Sequence, residues 1–216
     1  MATAASDRLT ILVSSTVYGH EDLLELIYGT LTTFGYEVWM SHAGTVLAYS
    51  SRTAFENCLD AVDKCDLFLS FITRTYGSGR ETPTDVSITH NELTRAIELN
   101  KPRWVLAHHD VVLARNLLRS LGHGTAEQRA ALPRPSKGPI DDLRVIDMYE
   151  EATRSGVERL DERTGNWVQK FRTDDEALLF SQAQFHRYQE VESFVRENFA
   201  SRPAISGVVA DHGDGE

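Results

Sequence analysis

Short apolar runs rich in β-branched residues alternate with helix-period segments through the first half of this chain. That alternation constrains the fold more than any other feature. Leu9-Thr10-Ile11-Leu12-Val13 reads as a buried strand running into the polar loop Ser14-Ser15-Thr16. Leu23, Leu24, Leu26, Ile27 and Leu31 recur at helical spacing until Phe34-Gly35, where the glycine marks a stop. Tyr36 to Met40 is a second strand, and a Ser-, Ala- and Gly-rich loop runs from Ser41 to about Arg52. Phe55, Cys58, Leu59, Val62 and Cys65 make a second helix, followed by Asp66 to Ile72, a strand apolar on both faces. A polar stretch from Thr73 to Ser87 separates it from a helix over Thr89 to Leu99, and Trp104-Val105-Leu106 supplies a fourth strand. This order requires parallel pairing through helical crossovers, and continuous apolar runs fit a sheet covered on both faces. The expected fold is α/β: a flavodoxin-like or Rossmann-like three-layer sandwich with a parallel sheet and a helical C-terminal extension.

Past residue 107 the pattern changes. Val111 to Leu121 reads as helix. Gly122 to Pro139 holds three Pro and three Gly beside Arg129, Arg134 and Lys137, and reads as an exposed insertion. Asp142 to Thr153 fits either helix or strand. Thr173-Asp174-Asp175-Glu176 is a capping-box signature opening a helix with Leu178, Leu179 and Phe180, and Phe185 to Phe199 is amphipathic. The expected organisation is an α/β core over residues 8–107, helices over 108–200 packed on that core, and a disordered tail over 201–216. Trp39, Trp104 and Trp167 read as core aromatics.

A formal net charge of −10, from 22 Lys and Arg against 32 Asp and Glu, argues against a general nucleic-acid binder. It equally disfavours docking on an anionic membrane surface. Met1 to Thr10 lacks a basic region followed by an apolar run, so no secretory signal is expected. The longest strongly apolar stretch, Leu67 to Ile72, is far too short to span a bilayer. Cys58 and Cys65 fall seven residues apart on one helix face, roughly 10 Å apart and too far for a disulfide. Both read as small buried hydrophobes, and a reducing, cytoplasmic setting is the expectation. His108-His109 suggests a metal pair, but adjacent strand residues point to opposite faces, so no metal is expected there.

In open parallel sheets, ligands bind outside the carboxyl ends of the strands where the strand order reverses. Three polar clusters fall at such ends: Ser14-Ser15-Thr16-Val17-Tyr18, Thr73-Arg74-Thr75-Tyr76-Gly77, and Ser87-Ile88-Thr89-His90-Asn91-Glu92. In a parallel fold they would converge on one pocket.

These residues also carry a resemblance. A strand followed by Ser-Ser-Thr-x-Tyr, Cys58-Leu59-Asp60-x-Val62-Asp63-x-x-Asp66 before a strand, and Arg74-x-Tyr76-Gly77-Ser78 are three of its motifs. The fourth is Ser87-Ile88-Thr89-x-x-Glu92-x-x-x-Ala96 before Lys101-Pro102. Together, over residues 8–107, they resemble the domain of unknown function 4062. That family looks related to the Toll/interleukin-1 receptor domains and to the nucleoside 2-deoxyribosyltransferases. In the transferases, a Glu opening a helix before a Lys-Pro strand attacks or stabilises the anomeric carbon, and Glu92 with Lys101-Pro102 is similar. The chain departs from them in having Thr89-His90-Asn91 where they usually carry Gly.

The resemblance implies cleavage of a nucleotide N-glycosidic bond, with NAD as a possible substrate, no cofactor, and a role in antiviral defence. A fixed carboxylate suits that chemistry because oxocarbenium charge builds at the anomeric carbon. Glu92 takes that role and His90 that of general acid. Ser14, Ser15, Thr16 and Tyr18 would hold ribose or phosphate oxygens, with Gly77 and Ser87 beside them. Arg74 would clamp phosphate and Tyr76 would stack on the base. Each residue also has a plainer reading. Thr89-His90-Asn91-Glu92 is a capping box in its own right, Ser14 to Thr16 make an N-cap and polar turn, and Arg74 suits a structural ion pair. Two function classes therefore stand: a glycosidase, or a non-catalytic module that binds a nucleotide, assembles with itself or answers to a separate sensor protein.

Overall fold

The computed structural model describes residues 8–79, 82, 85–133, 135, 138–157 and 159–199. The first seven residues and the tail 201–216 lie outside the described residues, as do Arg134 and Lys137. Five strands form one parallel sheet: β1 (Thr10–Ser15), β2 (Glu37–Trp39), β3 (Leu67–Ile72), β4 (Arg103–His108) and β5 (Val168–Phe171). Their order is β2-β1-β3-β4-β5, the flavodoxin-like arrangement, and it reverses between β1 and β3.

Alternation along each strand sends side chains to two separate cores, as the two-residue period demands. Ile11 and Val13 of β1, with Leu67, Leu69 and Phe71 of β3, meet α1 (Glu21–Thr33), α7 (Asp174–Phe185) and α8 (Tyr188–Phe199). Leu12, Phe68 and Ile72 face the other way. They pack against α2 (Ala54–Lys64), α3 (Ile88–Glu98), α4 (His109–Ser120) and α6 (Arg144–Ala152). A short helix, α5 (Ala126–Ala130), lies between α4 and α6. The result is helices, sheet, helices: a three-layer sandwich with both faces covered. Among the described residues, no helix is long and apolar enough to cross a membrane.

The chain past residue 107 differs from the sequence expectation in three ways. It contributes a strand as well as helices, because Val168–Phe171 pairs in parallel with Val105–His108 and completes the sheet. Trp167, just before that strand, is 76% exposed and is not a core aromatic. Arg129 is buried rather than part of an exposed insertion: its guanidinium donates to Asp147 and Glu150 of α6 and to the Gly124 carbonyl. Asp142–Thr153, whose sequence fits either helix or strand, holds helix α6, with Val145, Ile146, Met148 and Ala152 buried at helical spacing.

Candidate active site

Ser14 and Ser15 are the last residues of β1 rather than the start of a loop. By strand parity Ser14 shares the Leu12 face, so its hydroxyl points at the α2–α3 layer. There it donates to Glu92 Oε2 at 2.5 Å. Glu92 comes from α3, and the thiol of Cys58 on α2 donates to the same carboxyl. Ser70 of β3 stands beside Ser14 in register, fully buried, and its Oγ has no hydrogen-bond partner among the described residues.

Glu92 is only 7% exposed. Burial disfavours its charge and pushes its pKa up to about 7, against the smaller opposing pull of the Ser14 and Cys58 hydrogen bonds. The same burial, with the Glu92 charge beside it, pushes the Cys58 thiol up to about 12. A carboxyl balanced between its acid and base forms near neutral pH, set where the strand order reverses, is a candidate catalytic group.

The capping-box reading of Thr89 to Glu92 does not hold. Helix α3 begins one residue earlier, at Ile88, and Ser87 is the N-cap, its hydroxyl accepting from the His90 amide. Glu92 therefore lies past the third helical position and is free of capping duty. The signal was present in Ser87 itself, another good N-cap two residues upstream.

The three clusters meet at the carboxyl ends of β1 and β3. Thr16 Oγ1 and Thr73 Oγ1 share a hydrogen bond of 2.5 Å. Gly77, at φ +94°, lies so close that a Cβ there would sit 2.7 Å from Thr16 Cγ2 and near Thr89 and Ser87. Changing Gly77 to Ala is therefore expected to destabilise the chain by about 1–3 kcal/mol, combining a left-handed backbone with the clash. Pairing it with Thr16→Ser should recover the steric part. Equilibrium denaturation of both variants checks this, and a single change costing under about 0.5 kcal/mol would contradict the close packing.

Other candidate residues stand elsewhere. Tyr18 is 75% exposed on the β1–α1 loop, and Ser15 turns its hydroxyl to the Thr16 carbonyl. Arg74 is half exposed and comes no nearer than 3.9 Å to Asp110, a loose pair of little stabilising value. Tyr76 is fully buried, with its ring under the Arg144 guanidinium and its hydroxyl 2.6 Å from His90 Nδ1, so it offers no open face for a base. His90 points away from Glu92, as residues two apart on a helix must, and reaches Glu151 Oε1 at 3.0 Å. Cys58 and Ser70 were not singled out from the sequence as site residues; only the packing of α2 on α3 and the β1–β3 register bring them here.

The family model for Domain of unknown function (DUF4062) matches residues 10–132, more than half of the chain. The chain belongs to this family. The DUF4062 match spans β1 through α5 and so contains Ser14, Cys58, Arg74 and Glu92. No curated protein and no solved structure matches the chain. Among the described residues of this DUF4062 domain, no group of three or more His, Cys, Asp or Glu is placed to hold a metal ion.

Proposed function

We propose that this DUF4062 protein cleaves the N-glycosidic bond of a nucleotide, with Glu92 as the carboxylate that meets the anomeric carbon. One observation carries the reading: a buried carboxyl, pushed up to about 7 by its burial, stands at the reversal point of the sheet and accepts a hydrogen bond from Ser14 of β1. In its ionised form Glu92 would offset oxocarbenium charge or bond to the carbon. Breaking the bond sends its electron pair to the base, and water supplies the oxygen that replaces it, releasing a proton.

The position of His90 narrows the substrate. With its imidazole held by Tyr76 and Glu151, it supplies no proton at Glu92. A pyridinium leaving group departs neutral without protonation, whereas a neutral purine nucleoside needs an acid. NAD therefore fits better than a simple nucleoside, with the exposed Arg74 near the carboxyl ends to meet its phosphates. By resemblance to Toll/interleukin-1 receptor domains the setting would be antiviral defence, with a homo-oligomer or separate sensor protein as partner.

The enclosure of Glu92 favours a second reading. At 7% exposure, with Ser14 and Cys58 on its carboxyl, it also suits a structural acid in a non-catalytic nucleotide-binding module. Incubation with NAD and a panel of nucleosides separates the two. The glycosidase releases nicotinamide from NAD and little or no base from neutral nucleosides. Nucleotide binding without release of any base would leave the module.

A further inference from the structure

The matched family segment ends at residue 132, yet the elements around Glu92 are gripped by residues beyond it. We infer that residues 141–151 form a clamp that positions the candidate site, with Asp141, Arg144 and Glu151 as its positioning residues. The inference rests on the reading of the Glu92 region as a nucleotide site. None of the three touches Glu92. They hold helix α3, which carries Glu92, and the loop after β3, which packs on Thr16 and Thr89.

Asp141 pairs with the loop in both directions. Its Oδ1 accepts from the Tyr76 amide at 2.9 Å, and its own amide donates to the Arg74 carbonyl at 3.1 Å. This fixes the backbone from which Arg74 projects, and with it the approach of Gly77 to Thr16. Arg144 adds a second hold. Its Cζ sits 4.3 Å from the Tyr76 ring centre, its Nη1 donates to the Asp85 carbonyl at 2.8 Å, and Asp142 fixes its plane through two hydrogen bonds. The guanidinium thus joins both ends of the polar stretch that leads into α3.

Glu151 holds the helix itself. Its Oε1 pairs with His90 Nε2 at 3.0 Å, and its Oε2 accepts from Thr94 Oγ1 at 2.8 Å. His90 and Thr94 are four apart and so share one face of α3. Burial works against the charge of Glu151, but the His90 and Thr94 contacts together outweigh it and hold the carboxyl below its usual range. Through Tyr76 Oη and His90 Nδ1 the loop and helix holds join into one network. A site whose supporting shell is this connected should lose geometry before stability when a peripheral member is cut.

Asp141 gives the cleanest test, because it is an exposed residue and its loss opens no core. The full chain carrying Asp141→Ala is compared with Asp141→Asn, whose amide oxygen can still accept from Tyr76. Hydrogen exchange at the Tyr76 amide reads the clamp directly, and Michaelis parameters on NAD read its effect on the site. The alanine variant should exchange Tyr76 about tenfold faster and show KM raised about tenfold with kcat little changed, as expected for one lost hydrogen bond that aims Arg74. Asparagine should restore both. Unchanged exchange, faster exchange with no rise in KM, or asparagine as damaging as alanine would each overturn the clamp. If the wild-type chain neither binds nor cleaves NAD, the proposed function falls, and the exchange data alone decide the clamp.

Discussion

Replacing Glu92 by Gln is expected to stabilise the protein at pH 8 while abolishing any base release. The sign follows from burial. The Glu92 carboxyl moves from an ordinary value of 4.5 to about 7 in the folded chain, so the folded state holds a proton that the unfolded state has already lost. Its contribution is fully present below pH 4.5, is lost as pH rises, and levels off above 7. A shift of that size corresponds to about 3 kcal/mol. Gln imitates the protonated form, with Oε1 able to accept from Ser14, so the variant should be about 2–3 kcal/mol more stable than wild type at pH 8. The difference should vanish near pH 4.5. Denaturation at pH 4.5, 6 and 8 checks this, alongside nicotinamide release on the same preparations. A Gln variant less stable at pH 8 would mean that the protein holds Glu92 ionised.

The second large effect concerns where the domain ends. A chain cut after His109 should aggregate and show no cooperative unfolding transition. It loses Ile140, Val145, Ile146 and Met148 from one core and Phe171, Phe185 and Val191 from the other, besides strand β5. Each such side chain contributes about 1.5–3 kcal/mol when fully buried. Together they rival the 5–15 kcal/mol by which a whole domain is ordinarily stable. The same fate is expected for a cut at residue 132, where the family match stops, because every one of these residues follows it. Light scattering and calorimetry on the two fragments are the checks. A monomeric fragment with a sharp melting transition would show that the first four strands suffice.

These expectations also mark how far the sequence could be read. Strands β1 to β4 were legible because buried parallel strands carry apolar runs, and Leu67–Ile72 is buried at all six positions with Ser70 as its one polar residue. Strand β5 was not. Val168-Gln169-Lys170-Phe171 is four residues long on a sheet edge, with Lys170 exposed, and only pairing with β4 makes it a strand. Helix α6 resisted assignment because the sequence around it also suits a strand, until tertiary packing chooses the helical face. Arg129 looked like loop chemistry, since its carboxylate partners lie 18 and 21 residues away and meet it only through the fold.

The site divides in the same way. Polar residues at the ends of apolar runs mark the carboxyl edge of a parallel sheet, so Ser14, Thr16, Thr73 and the start of α3 were legible as neighbours. Which of them touch was not. From the capping-box reading, Glu92→Gln would lose up to about 1 kcal/mol through the helix dipole. A start at Ile88 and the burial of the carboxyl reverse that sign. Cys58 read as a small buried hydrophobe; it is only partly buried, and that its thiol meets a carboxyl depends on how α2 lies against α3.

That meeting has a practical consequence for spectroscopy. Thiol-reactive dyes attack the thiolate, and with a pKa near 12 Cys58 presents almost none at neutral pH. Cys65 is fully buried and donates to the Val62 carbonyl. Both native sulfurs should stay dark to maleimides in the folded chain. A single cysteine introduced for the exposed Tyr18 would then take up label alone, and its fluorescence would report on events beside the end of β1 without any background to subtract.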